Sequence, residues 1–162
     1  APFPYDGIFR RAVLNFKFHN CGAYAELLSH EMVRSIKDVY RDRKFDLVTC
    51  VPMHKDTLRE RGYNQAELLA KECARLLGIE YADLLVKTKK NKTQHSIKAA
   101  ERAKNVIGVY SPIDKNLIKG KRILIIDDII TTGSTLGECA RILNKCKCGE
   151  ICCCTLCTSL LI

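Results

Sequence analysis

The chain has no tryptophan, and aromatic residues make up only 7% of its 162 positions. These few rings do not interleave with lysine or arginine, so the pattern lacks the stacking platform that holds single-stranded nucleic acid. No stretch reaches the roughly 18 apolar residues of a membrane-crossing helix. The first residues show no basic flank ahead of an apolar signal core. Together these absences predict a cytoplasmic protein with no membrane partner. Two glycine signatures are also missing: neither G-x-x-x-x-G-K-S/T nor G-x-G-x-x-G occurs, which leaves P-loop and Rossmann nucleotide sites without an anchor. Internal repeats and low-complexity linkers are lacking too, and the length suits one domain with a sizeable core. Acids are outnumbered by bases, 18 to 27, for a formal net charge of +9. Anionic partners follow, but phosphorylated metabolites, nucleic acid and acidic proteins all meet that condition.

Cysteine is abundant instead, with 10 in the chain. Disulfide scaffolds belong to small secreted chains with cysteines spaced through loops, whereas these fall within predicted helices and strands, so most are expected to be reduced. The densest cluster comprises Cys146, Cys148, Cys152, Cys153, Cys154 and Cys157. Its C-x-C and C-x-x-C pieces raise a thiolate metal site. Against that, Ile151 to Thr158 reads as a buried parallel strand, where cysteine acts as a small apolar residue and consecutive side chains point to opposite faces. Such a strand cannot aim three successive thiols at one ion, so no metal ligands are assigned.

Chemistry concentrates in Arg122 to Leu136, reading R-I-L-I-I-D-D-I-I-T-T-G-S-T-L. Ile123 to Ile126 form an apolar run of the kind buried on both faces of a parallel sheet. Asp127 and Asp128 fall at its carboxyl end, the edge where open α/β sheets bind ligands. Thr131, Thr132, Gly133, Ser134 and Thr135 then supply hydroxyls and backbone amides at the start of a helix, which suits a phosphate. Thr135 and Glu138 make a T-x-x-E capping box for that helix. A phosphate held by the turn leaves two acceptor-only carboxylates facing whatever carries it, and vicinal hydroxyls fit them. A 5-phosphoribosyl group has that arrangement. A receiver-type phosphoacceptor does not fit, because it places paired acids on the first strand and this pair sits late.

Elsewhere Asp6 to Phe18 and Gly22 to Lys37 look helical, the second because Tyr24, Leu28, Met32 and Ile36 fall four apart. Phe45 to Val51 is a strand ended by Pro52, and Val51 to Asn64 a loop carrying Lys55, Arg59 and Arg61. Gln65 to Leu77 is a helix with Asn64 and Glu67 as caps and Gly78 as its stop. Tyr81 to Val86 and Val106 to Tyr110 read as strands. Between them Lys87 to Lys104 is basic, polar and without apolar periodicity. Ser111 to Gly120 is turn-rich. Alternating strands and helices predict an α/β fold with a doubly wound, mainly parallel sheet flanked by helices. His54 and His95 lie in loops and are expected to face solvent.

The acids with their hydroxyl turn resemble the signature of type I phosphoribosyltransferases, which bind 5-phosphoribosyl 1-pyrophosphate (PRPP). Three further pieces resemble the ComF family within that fold: R-G-Y-N-Q at Arg61 to Gln65, T-Q at Thr93 and Gln94, and E-R-x-x-N-V at Glu101 to Val106. The resemblance runs from about Tyr5 onward. It implies a type I phosphoribosyltransferase fold with a lid loop, residues 1–40 as an N-terminal helical hood and 41–162 as the core of a single domain. It also implies PRPP as ligand, Mg²⁺ held largely through PRPP, transfer of the phosphoribosyl group with release of pyrophosphate, and an unidentified acceptor. Asp127, Asp128 and the lid residue Lys90 take the catalytic positions, and residues 131–135 bind the phosphate. Arg59, Arg61, Lys89, Gln94 and Arg102 are assigned to pyrophosphate, with a neighbouring loop the other partner open to Gln94. Lys92 joins the lid cations. ComF proteins usually carry an N-terminal cysteine-rich zinc module, and this sequence starts where such a module would end. The family's link to natural competence implies work beside single-stranded DNA machinery, with a PRPP-binding accessory protein as the alternative to an enzyme. Homodimers are common for the fold.

Overall fold

In the computed structural model, which describes residues 1–18, 22–89 and 106–159, the apolar run before the two acids lies at the middle of a parallel sheet. The elements in chain order are β1 (Phe3–Pro4), α1 (Gly7–Phe18), α2 (Gly22–Val39), β2 (Leu47–Cys50), α3 (Lys55–Arg61), α4 (Gln65–Leu77), β3 (Glu80–Tyr81), β4 (Leu85–Lys87), β5 (Tyr110–Pro112), α5 (Lys115–Ile118), β6 (Arg122–Ile130), α6 (Ser134–Lys145) and β7 (Glu150–Thr158). The main sheet runs β1-β7-β6-β2-β3, and every pairing in it is parallel. Residues Ile123 to Ile126 of β6 are all 0% exposed because helices cover both faces. Leu124 and Ile126 enter one core with α1, α2 and α4, while Ile123 and Ile125 enter the other with α6. The cysteines of β7 divide in the same way: Cys152 and Cys154 belong to the first core and Cys153 packs against the second. Among the described residues no helix is long and apolar enough to cross a membrane.

Strand order places the ligand edge. From β2 the chain moves outward to β3, then returns to the other side of β2 to form β6 and moves outward again through β7. The order therefore reverses between β2 and β6, and the loops leaving their carboxyl ends part there and open a crevice. Asp127 and Asp128 stand beside it.

Local signals were met unevenly. Helix α4 begins as predicted, with the Asn64 side chain accepting from the Ala66 amide at 3.2 Å, and ends at Gly78 in the left-handed region at φ 67°. Glu67 does not complete a capping box and instead pairs with Lys71 at 2.6 Å. The loop predicted from Val51 to Asn64 contains α3, whose first turn is capped by His54 accepting from the Asp56 amide at 3.3 Å. His54 is accordingly 8% exposed instead of facing solvent. His95 lies outside the described residues.

Tyr81 to Val86 is not one strand. Leu84 and Leu85 both bury in the same core, which consecutive residues of one extended strand cannot do. The chain leaves the main sheet after Tyr81, and β4 pairs antiparallel with β5. Val106 to Tyr110 likewise begins as a turn, with Val106 and Val109 buried, Ile107 67% exposed and a Val109 amide to Val106 carbonyl bond at 3.4 Å. The Thr135–Glu138 capping box is also absent. Helix α6 starts two residues earlier than that box requires, at Ser134 with Gly133 as its N-cap, and has no side-chain cap. Glu138 turns to Gly108 and Arg141 instead.

Candidate functional site

The site is assembled from the carboxyl ends of β2 and β6. Asp127 is still in register with Thr155 of β7, so its backbone is fixed by the sheet. Its Oδ1 accepts the Asp128 amide at 2.8 Å, and both acids are partly exposed. The chain then passes through residues 131–133. Gly133 adopts φ 74° and ψ −3°, a left-handed turn that delivers the chain into α6. Thr132 and Ser134 share a hydroxyl–hydroxyl bond of 2.8 Å, and the Ser134 amide donates to Thr132 Oγ1 at 3.4 Å. Residues 131–136 with Asp127 and Ile130 line a hollow of about 30 Å³. Hydroxyls, amides and a positive helix end thus converge on an anion-sized space.

A cleft of about 190 Å³ adjoins it, and Asp127 and Thr135 line both. Asp128, Arg61 from the end of α3 and Lys87 from the end of β4 also line the cleft. The R-G-Y-N-Q motif builds part of that lining. Arg61 Nη1 donates to Gln65 Oε1 at 3.0 Å, and Gln65 is only 2% exposed. The Asn64 side-chain Nδ2 donates to the Val51 carbonyl at 3.1 Å, pinning the α3–α4 junction to the loop leaving β2. The Tyr63 hydroxyl donates to the Phe16 carbonyl, joining that junction to α1. The motif thus serves largely to hold a loop, and its Arg61, Asn64 and Gln65 line the cleft.

Lys87 carries the site's unpredicted cation. Its Nζ lies 5.6 Å from the centre of the Tyr110 ring, opposite it in the β4–β5 register. Burial pushes its pKa below the usual lysine range, opposed by the negative charge of Asp127. The signal that places it lies in the folded strand and not in the sequence. Leu85 is buried, Val86 is 42% exposed and Lys87 is half-buried, so strand alternation places Lys87 on the inward side with Leu85.

The remaining predicted residues divide. Asp127, Asp128, Arg61 and residues 131–135 are brought together. Arg59 and Lys89 are exposed and do not line the cleft. Lys90, Lys92, Gln94 and Arg102 lie outside the described residues. Among the described residues no group of three or more histidine, cysteine, aspartate or glutamate side chains could hold a metal ion. A larger hollow, of about 570 Å³, opens at the opposite, amino-terminal edge of the sheet. Converging acids, cations and amides, not size, mark the candidate site.

Residues 64–160 match the phosphoribosyl transferase domain family. Competence protein F of Haemophilus influenzae is 33% identical over 144 residues, which cover 86% of this chain and 63% of that protein. Competence protein ComFC of Bacillus subtilis is 31% identical over 150 residues, covering 92% of this chain and 59% of that one. The DNA utilization protein YhgH of Escherichia coli is 30% identical over 101 residues, covering 62% and 44%. The chain therefore spans roughly half of the curated relatives it matches. Among solved structures, glutamine PRPP amidotransferase from B. subtilis aligns with a TM-score of 0.52 at 22% identity, over 80% of this chain and 25% of that one. The allosteric regulatory enzyme of purine biosynthesis aligns at 0.53 and 21%, over 82% and 25%. Both likenesses concern the fold.

Proposed function

The chain belongs to the phosphoribosyl transferase domain family, in its ComF branch, and we propose that it binds PRPP and transfers the phosphoribosyl group to a nucleophile. The observation that carries this reading is the pair of adjoining hollows that share Asp127 and Thr135. The smaller suits the 5-phosphate, held by the amides and hydroxyls of residues 131–135. The acids at the junction suit the ribose hydroxyls, which donate to Asp127 and Asp128. The wider cleft, with Arg61 and Lys87, suits the pyrophosphate. Lys90, Gln94 and Arg102 retain their proposed roles toward that leaving group, and Arg59 and Lys89 are exposed cations outside the cleft's lining.

In the transfer, a nucleophile forms a bond to ribose C1 while the C1–oxygen bond to pyrophosphate breaks and that oxygen keeps the electron pair. Positive charge develops on the sugar ring, and two fixed carboxylates stabilise it most where water is excluded. The donor set fits Mg²⁺ as a companion of the substrate: Asp127 and Asp128 would hold it together with PRPP oxygens, and it would neutralise leaving-group charge.

Calorimetry with PRPP and Mg²⁺ on wild type and Asp128→Asn tests the ligand. Wild type is expected to bind and the variant to bind at least about tenfold more weakly; silence from wild type rejects the reading. Pyrophosphate release with candidate bases, amines or ammonia then tests turnover. The second reading, a PRPP-binding accessory protein of DNA uptake, is favoured by the competence and DNA-utilization names of the relatives. It predicts PRPP binding without pyrophosphate release.

A further inference from the structure

The hollow of about 570 Å³ at the amino-terminal edge falls within the roughly 300–1,000 Å³ of small-ligand sites. Phe45 just before β2, Ile79 just before β3 and Arg122 at the start of β6 all line it. Five strand residues, or about 16 Å, separate Arg122 from Asp127, so this space is distinct from the PRPP cleft.

Its wall is apolar and aromatic. The Tyr40 and Phe45 rings meet edge to face, 5.8 Å apart at 87°, and Ile36, Leu77 and Ile79 continue the surface. The Tyr40 hydroxyl is fixed by donating to the Cys153 carbonyl at 2.9 Å. Its rim is cationic. Arg43 is paired with Glu150 and Arg122 with Asp46, but Lys37, Arg41 and Lys44 have no carboxylate partner among the described residues.

The bland account is that these cations offset the carboxyl ends of α2 and α4, which terminate at Val39 and Leu77. Two helix ends supply about half a negative charge each. Three unpartnered cations exceed that by about two charges, and the acids nearest in sequence, Asp38 and Asp42, do not line the space. The surplus matches a dianion, and the aromatic pair matches a flat ring that can stack or meet it edge on.

We propose that this hollow binds a phosphate monoester carrying an aromatic ring, the chemistry of a nucleoside monophosphate. The site is independent of the PRPP reading. The test is calorimetry with adenosine 5′-monophosphate in saturating PRPP and Mg²⁺, repeated on Arg41→Glu/Lys44→Glu and on Ser134→Glu, which obstructs the phosphate turn. Binding is expected in wild type and in Ser134→Glu. It should weaken at least about tenfold in the double variant, with adenosine or inorganic phosphate alone binding at least about tenfold less tightly. Because Ser134→Glu isolates this site, the result is readable even if PRPP does not bind. Circular dichroism verifies that the double variant is folded. Displacement by PRPP, indifference to the double variant, or a preference for inorganic phosphate overturns the proposal. So does a single-stranded oligonucleotide that binds through the same cations when the monophosphate does not.

Discussion

Glu138, buried in α6 at 5% exposure, accepts a hydrogen bond from the Gly108 amide at 2.8 Å. The bond ties the chain returning into β5 to the helix whose first turn follows the turn at residues 131–133. Arg141 meets the same carboxylate at 2.6 and 2.7 Å. The Arg141 bonds and then the Gly108 amide hold the Glu138 pKa below its ordinary value of 4.5. A carboxylate with a lowered folded pKa stabilises fully above its unfolded value and loses that contribution as pH falls through the folded one. Glu138→Gln should therefore lower stability by about 1–2 kcal/mol at pH 7, discounted for the partly exposed arginine. The gap to wild type should narrow below about pH 4.5. Urea unfolding at pH 7 and pH 4 checks this, and a gap that widens in acid contradicts the assignment.

Lys87 should separate stability from binding. Burial disfavours its charged form, so the folded protein gains little from holding a cation there, while the Tyr110 ring returns part of the cost. Lys87→Met should change stability by less than about 1 kcal/mol at neutral pH. As pH rises from the lowered folded pKa toward the ordinary 10.5, wild type should gain on the variant, because the unfolded lysine then binds more protons. Affinity for PRPP should nevertheless fall about tenfold or more. Unchanged PRPP affinity would remove Lys87 from the cleft's chemistry.

The contrast between Asp127 and Lys87 shows what was legible beforehand. Asp127 follows a continuous apolar run, and such a run ending in acids and a hydroxyl turn has few structural solutions. Asn64 and Gly78 bounded α4 correctly because capping and left-handed stops are local. Failures came where tertiary partners overrode local pattern. Glu138 was claimed by Gly108 across 30 residues instead of capping its own helix. His54 capped a helix too short to leave a periodic signal. Lys87 looked like the first residue of a polar stretch, and only the antiparallel partner Tyr110 shows it closing a strand.

The thiols offer a test of the two-sided sheet. Burial raises the pKa of Cys50 and Cys73 to about 12 and of Cys154 to about 11, and each is 5% exposed or less. Thiolate is the reactive form, so these residues should resist iodoacetamide at pH 8 in native buffer and alkylate readily in urea. Mass spectrometry distinguishes the sites. Native labelling of Cys154 at its unfolded rate would mean that β7 is not buried between the two layers.

Gly133 offers the most local test of the phosphate-binding role proposed for its turn. An added Cβ meets only Ile130 Cδ1 at 3.8 Å, an ordinary contact, so space does not require glycine. The backbone does, because φ 74° is left-handed. Gly133→Ala should cost about 1–2 kcal/mol. The strain is relieved by rotating the peptide that carries the Ser134 amide, so PRPP affinity should drop with stability. Asparagine enters the left-handed region more easily, so Gly133→Asn should fall between wild type and alanine in both urea midpoint and PRPP calorimetry. If alanine binds PRPP as wild type does, the turn's amides do not hold the phosphate. If asparagine is worse than alanine, crowding and not backbone conformation governs the position.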